Sequence, residues 1–167
     1  MTGSARLKEP ISCTEEERRE FARLVREGFR GSDESLPDRI RNAKWLGFHY
    51  AAGDNLTAIA ALKAPDARYR NDVFNSADAG VGSAGYELEL GWVFVFPDER
   101  GQGIAGDLCR KLLARSPRSP VFATTRPNND PMIKILLGLG FARVGKPFPR
   151  RDEMLALFLR PAPPSLR

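Results

Sequence analysis

Hydrophobic and polar positions alternate most regularly between Tyr86 and Phe96. Tyr86, Leu88, Leu90, Trp92, Phe94 and Phe96 point one way and Glu87, Glu89, Gly91, Val93 and Val95 the other. A period of two is the mark of a β-strand. At Ile104 the period changes: Ile104, Ala105, Leu108, Cys109, Leu112 and Leu113 share one helical face, with Asp107, Arg110, Lys111 and Arg115 opposite. Ser116-Pro117-Arg118-Ser119-Pro120 stops that helix, and Val121-Phe122-Ala123-Thr124-Thr125 reads as a short buried strand. Strand, turn, helix and strand predict one right-handed βαβ unit with parallel strands.

The flanking patterns supply the rest of the frame. Thr14-Glu15-Glu16-Glu17 is a capping box, and Phe21, Leu24, Val25 and Phe29 fall on one face of the helix it starts, expected over 14–29. A short helix over 38–43 follows the Ser32/Asp33/Pro37 punctuation, with Leu36 and Ile40 inward. Trp45 to Ala51 and Leu56 to Leu62 form a hairpin around Gly53-Asp54-Asn55. Residues 66–85 read as a long polar connection anchored by Tyr69 and Phe74 and expected to wall or cover a site. A further helix is predicted over 129–138, with Met132, Ile133, Leu136 and Leu137 apolar and Gly138 and Gly140 ending it. Phe141 to Val144 and Met154 to Leu159 read as two last strands around a Pro/Arg-rich turn. The expected fold is a mixed α/β sheet of about seven strands with about four helices. One domain is expected over 1–160 and a flexible tail over 161–167.

Length and composition agree with one such core. The 167 residues are 42% hydrophobic and 28% charged, and a chain of this size buries roughly two thirds of its unfolded surface. No apolar run approaches the roughly 20 residues of a membrane span, and Met1 to Arg6 lacks the apolar core of a secretory signal. A cytoplasmic protein without a membrane role is expected. Cys13 and Cys109 lie far apart, and His49 is the one histidine, so no metal site is predicted. The net charge of +5 favours anionic partners. Lysines and arginines are interleaved with 21 acids rather than clustered, which argues against nucleic acid.

Candidate chemistry concentrates in the turn of the βαβ unit, Arg100-Gly101-Gln102-Gly103-Ile104-Ala105-Gly106. A glycine-rich turn that opens a helix presents unpaired N–H groups at the positive end of the helix dipole, which suits a pyrophosphate. Arg100 adds a cation suited to phosphate. The glycines also fit a merely tight βα turn. The same residues satisfy the dinucleotide pattern G-x-G-x-x-G, but the next strand ends Ala123-Thr124-Thr125-Arg126 with no ribose-binding acid. Too little chain follows the turn for the remaining units of a doubly wound sheet.

Arg100-x-x-Gly103-x-Ala105 after Val95-x-Pro97 resembles the coenzyme A pyrophosphate signature of the GNAT superfamily of N-acyltransferases. Asn129, Met132, Ile135, Leu136 and then Leu139-Gly140-Phe141 resemble that superfamily's following helix and its exit. The resemblance implies an acyltransferase moving an acetyl or short acyl group from acetyl-CoA or another acyl-CoA to a primary amine of a small molecule or peptide, by direct attack, in a monomer or homodimer. It implies cofactor contacts at Val93, Phe94, Val95, Arg100, Gly101, Gln102, Gly103, Ile104, Ala105, Gly106 and Asn129. It also implies an upstream carboxylate base, for which Glu89 and Glu87 stand eleven and thirteen residues before Arg100; Glu89 is preferred. Where the family often has a general-acid tyrosine, this chain has Leu136. Tyr50, Tyr69 and Tyr86 are substitutes among which the sequence does not choose, and a non-catalytic acyl-CoA-binding regulatory module is the alternative. Gly91 fits a bulge or a close packing contact, and His49 and Cys109 read as packing residues.

Overall fold

The computed structural model describes residues 3–29 and 34–165. Among the described residues are seven strands in the order β1-β2-β3-β4-β5-β7-β6 and five α-helices, one more than the hydrophobic pattern predicts. The chain up to Ala64 together with Leu90–Ser116 forms one compact unit, and Pro65–Glu89 with the chain from Pro117 forms a second.

In the first unit β1 (Ser4–Lys8), β2 (Trp45–Ala51) and β3 (Asn55–Lys63) are consecutive antiparallel neighbours. The 4–8 segment shows no clean alternation in sequence, and its strand identity comes from pairing with β2, Ser4 opposite Tyr50 through Lys8 opposite Leu46. Helix α1 (Glu15–Gly28) starts as its capping box dictates: Thr14 accepts from the Glu17 N–H and Glu17 accepts from the Thr14 N–H, both at 3.1 Å. Helix α2 (Leu36–Arg41) is short; the Ser32 and Asp33 punctuation lies outside the described residues. Phe21, Leu24 and Val25 of α1 and Leu36 and Ile40 of α2 meet Phe48, Ile59, Trp92 and Phe94 from the strands. Phe21 sets its ring edge-on to Phe48 and Trp92, at centroid distances of 5.5 and 5.9 Å, the favoured aromatic geometry. Helix α4 (Ile104–Ala114) packs on β2 and β3. Gly47 of β2 makes room for it: a Cβ there would lie 3.3 Å from Leu112 Cδ1.

Strand β4 (Leu88–Val95) carries the regular alternation of the sequence but not a regular backbone. Trp92 has φ 50°, a left-handed conformation that a bulky residue adopts only when its surroundings enforce it. The irregularity therefore sits at Trp92. Gly91 lies against the Lys63 side chain, and a Cβ there would come within 2.9 Å of its Cδ, in a part of the lysine that can move aside. The Lys63 ammonium lies 4.7 Å from the Trp92 ring centroid.

In the second unit, β4 begins parallel to β5 (Val121–Thr125), with Leu88 beside Val121 and Glu89 beside Phe122. β7 (Glu153–Arg160) runs antiparallel to both β5 and β6 (Ala142–Arg150). Helix α5 (Asp130–Gly138) lies where periodicity predicts it, capped by Asn129 and followed by Gly140 at φ 90°. Two expectations are corrected here. The 66–85 connection contains helix α3 (Ala67–Ser76), capped by Asp66, whose carboxylate accepts from the Tyr69 N–H at 2.8 Å. Val73, Phe74 and Ala77 of α3 are buried with Phe122, Phe148, Leu157 and Leu159, so tertiary packing outweighs a polar composition with few helix signals. The Pro/Arg-rich segment is likewise strand rather than turn. β6 continues through Pro147 and Pro149 to Arg150, broken by an irregularity between Val144 and Phe148. Prolines are tolerated because β6 is last in the sheet order and irregular there. The turn itself is Arg151-Asp152, with Arg151 at φ 54°. Pro161 to Ser165 is exposed and without regular structure.

The β6 irregularity meets the end of α3. Gly145 has φ 65°, a Cβ there would fall 2.0 Å from the Ala77 carbonyl oxygen, and the Lys146 N–H donates to that oxygen at 2.8 Å. Gly145→Ala therefore combines an unfavourable left-handed φ with a clash against backbone. It is expected to cost about 2–4 kcal/mol, lowering the midpoint of thermal unfolding by roughly 5–15 °C; a scanning calorimetry trace superimposable on the wild type would contradict this packing.

Candidate functional site

The βα turn is built by local bonds. After β4 the chain makes a 3₁₀ turn at Pro97–Glu99, and Arg100 closes it by donating its Nε to the Val95 carbonyl at 2.9 Å. Arg100 thus ties the turn to the strand end while its side chain stays exposed. Gly101 and Gly103 follow at φ 82° and 78°, a region that L side chains rarely adopt. Gly103 is the N-cap of α4 and supplies no side-chain acceptor, in contrast to Thr14, Asp66 and Asn129 at the starts of α1, α3 and α5. The first-turn N–H groups of Ile104, Ala105 and Gly106 thus have no side-chain cap, at the positive end of an 11-residue helix. A Cβ on Gly101 or Gly103 would meet nothing within 4 Å, so the glycines answer to backbone conformation and the turn has open space beside it. Gln102 is exposed and Ile104 buried. On the strand, Val93 is half-buried, while Phe94 and Val95 are buried. This donor set and open cradle fit a pyrophosphate.

The carboxylates divide sharply. Glu87 is exposed and precedes β4, whereas Glu89 lies within it with 3% of its surface exposed. Tyr69 of α3 donates its hydroxyl to Glu89 Oε1 at 3.1 Å, and the Arg150 guanidinium lies 4.6 Å from the centroid of the Tyr69 ring. Directly after Tyr69 in α3, Arg70 donates to the Tyr86 carbonyl at 3.3 Å and Asn71 bonds to Ser83, fixing the segment that leads into β4. Of the three tyrosines, Tyr69 is the one bonded to a candidate carboxylate. Tyr86 leans on Phe74 at 5.5 Å, and Tyr50 stacks on Phe48, its hydroxyl pKa pushed up by burial. Leu136 is fully buried. Asn129 spends its side-chain oxygen on the Met132 N–H at 3.3 Å. The sequence reading missed the Tyr69–Glu89 pair because it missed α3; the signal present was Asp66, three residues before Tyr69, with Val73, Phe74 and Ala77 at helical spacing beyond.

Other reactive groups are structural. His49 shares a hydrogen bond with Thr57 at 3.2 Å and is 9% exposed. Burial pushes the Cys109 thiol from 9.0 up to about 12. A raised thiol pKa favours the folded state as long as the thiol is neutral. That contribution is intact below pH 9.0, the ordinary thiol value, and is lost as pH climbs toward the folded value, because the unfolded chain then binds fewer protons. Urea-unfolding free energy should fall above pH 9.0 with a slope of up to about 1.4 kcal/mol per pH unit from this group, and Cys109→Ala should flatten it; equal slopes in both proteins would refute the assignment. Among the described residues no cluster of histidine, cysteine and acids that could hold a metal is found, and no helix is long and apolar enough to cross a membrane.

The βα turn presents a helix start without a side-chain cap, after a strand with one left-handed residue at Trp92. The acetyltransferase (GNAT) family model matches residues 14–141, and the chain belongs to that family. No curated protein sequence matches it. Among solved structures it is similar to an acyl-CoA N-acyltransferase from Pseudomonas aeruginosa, at 17% identity and TM-score 0.71 over 95% of this chain and 99% of that one. It is also similar to Escherichia coli ElaA, at 13% identity and TM-score 0.69, over 95% and 99%. A third similar structure is Arabidopsis thaliana NAA60 in complex with acetyl-CoA, at 14% identity and TM-score 0.66, over 93% and 98%. These identities speak for the fold.

Proposed function

We propose that the protein transfers an acetyl or short acyl group from acyl-CoA to a primary amine of a small molecule or peptide, by direct attack of the amine on the thioester. The observation that carries this reading is the uncapped start of α4, with Gly101 and Gly103 in left-handed conformations and open space beside them, in a chain of the GNAT family. The N–H groups from Gly101 to Gly106 hold the pyrophosphate, with Arg100 beside them. The backbone of Val93 to Val95 pairs with the pantetheine arm, and one N–H there polarises the thioester carbonyl. Asn129 serves chiefly to start α5.

Glu89 is the base, and its burial and its bond to Tyr69 single it out over the exposed Glu87. The amine nitrogen forms a bond to the acyl carbon and gives its proton to Glu89, directly or through one water. The carbon–sulfur bond breaks, and the departing thiolate takes its proton from water, since Leu136 offers none. Buried Leu136 is also what favours the second reading, an acyl-CoA-binding regulatory module without turnover. Thiol release from acetyl-CoA, measured with a panel of primary amines and free peptide N-termini, separates the two: amine-dependent release is expected, and saturable acetyl-CoA binding without release from any acceptor would establish the module.

A further inference from the structure

Helix α3 is held along β6 at two points. At its C-terminal end the Ala77 carbonyl accepts from the Lys146 N–H beside Gly145. Near its N-terminal end Tyr69 lies under Arg150. Between them Pro147 and Pro149 restrict the backbone of β6. The Arg150 guanidinium is therefore a placed cation rather than a side chain at large. Its guanidinium carbon lies 4.6 Å from the centre of the Tyr69 ring, and among the described residues it makes no ion pair, although its register partner across the hairpin is Glu153. A guanidinium held over a ring and without an ion pair has N–H groups for the two parallel bonds that a carboxylate accepts. One phenol thus joins two opposite charges, Glu89 through its hydroxyl and Arg150 over its ring.

We propose that Arg150 binds a carboxylate carried by the acceptor, so that the amine acylated at Glu89 belongs to an amino acid or a similar carboxylated amine. The proposal rests on the transferase reading above and names its acceptor class. The acceptor's nitrogen faces Glu89, its carboxylate takes the N–H groups of Arg150, and the Tyr69 ring lies beneath the atoms between. An amine without a carboxylate lacks the second anchor.

The test uses pairs of acceptors that differ by the carboxylate, phenylalanine with phenethylamine and tyrosine with tyramine, with acetyl-CoA as donor. Each amino acid's amine is intrinsically more acidic than that of its decarboxylated partner, so the decisive quantity is the change caused by Arg150→Ala within each pair. Arg150→Ala is expected to lower kcat/KM for each amino acid at least about ten-fold more than for its decarboxylated partner, mainly through KM. Arg150→Lys should restore only part of the loss, and unchanged unfolding midpoints would exclude a folding defect. Equal losses for both members of a pair overturn the proposal. So does turnover confined to the decarboxylated amines in the wild type, and in both cases the transferase reading stands. Absence of thiol release with every amine removes that reading and this proposal with it.

Discussion

Glu89→Gln is expected to lower amine-dependent turnover at least about 100-fold while leaving acetyl-CoA affinity unchanged. Glutamine keeps the size of the side chain and an oxygen that accepts from the Tyr69 hydroxyl, now 3.1 Å from the carboxylate, but it takes no proton from the amine. The comparison that gives this test its force is Glu87→Gln. Glu87 carries the same functional group two residues earlier, exposed and outside the strand, and its loss should leave turnover within about two-fold of the wild type if burial and position, rather than nearby negative charge, make the base. A Glu89→Gln enzyme with an unchanged turnover number would remove Glu89 from the mechanism. Tyr69→Phe provides a graded control. It keeps the ring under Arg150 and deletes the bond to Glu89, so its effect should fall on kcat rather than on acetyl-CoA affinity, and should be smaller than that of Glu89→Gln.

The second large effect is expected at the turn. Gly103 has φ 78° and open space where its side chain would be, so a replacement is judged by conformation first and by what it places in that space second. Aspartate tolerates the left-handed region better than most residues and suits a helix start. Gly103→Asp should therefore fold with little change in thermal midpoint. Its carboxylate would occupy the ground in front of the α4 N–H groups and repel a phosphate. Acetyl-CoA affinity should fall at least about 100-fold, close to 2.7 kcal/mol, by calorimetric titration. Wild-type affinity in a folded Gly103→Asp protein would mean that the cofactor binds elsewhere.

Much of this frame is legible in the residues because strong periodicities are local. The alternation from Tyr86 to Phe96, the helical face from Ile104 to Leu113, the Thr14–Glu17 box and the glycines of the turn each fix an element without help from distant chain. What escapes has non-local causes. Strand β1 exists by virtue of its partner β2. Helix α3 has few large apolar residues, and its buried face is recognisable only once Phe122, Phe148 and Leu157 are there to cover it. The Pro147–Pro149 stretch reads as a turn because prolines usually exclude strands, yet β6 is last in the sheet order and accommodates them. Of the two roles open to Gly91, a bulge or a close packing contact, the sequence does not choose, and the left-handed residue of β4 is its neighbour Trp92, whose ring packs against Phe21. In the candidate site the pattern is the same. The glycine turn and the two carboxylates are visible in sequence, but the choice of Glu89 by burial and its link to Tyr69 and Arg150 depend on elements that meet only in the folded chain.

The central claim is that the α4 turn receives acyl-CoA, and a crystal structure with acetyl-CoA tests it most directly. The pyrophosphate oxygens should lie within hydrogen-bond distance of the N–H groups between Gly101 and Gly106, with the pantetheine arm paired to the backbone of Val93–Val95. Acetyl-CoA bound away from this turn, or no bound acetyl-CoA at saturating concentration, would contradict the account.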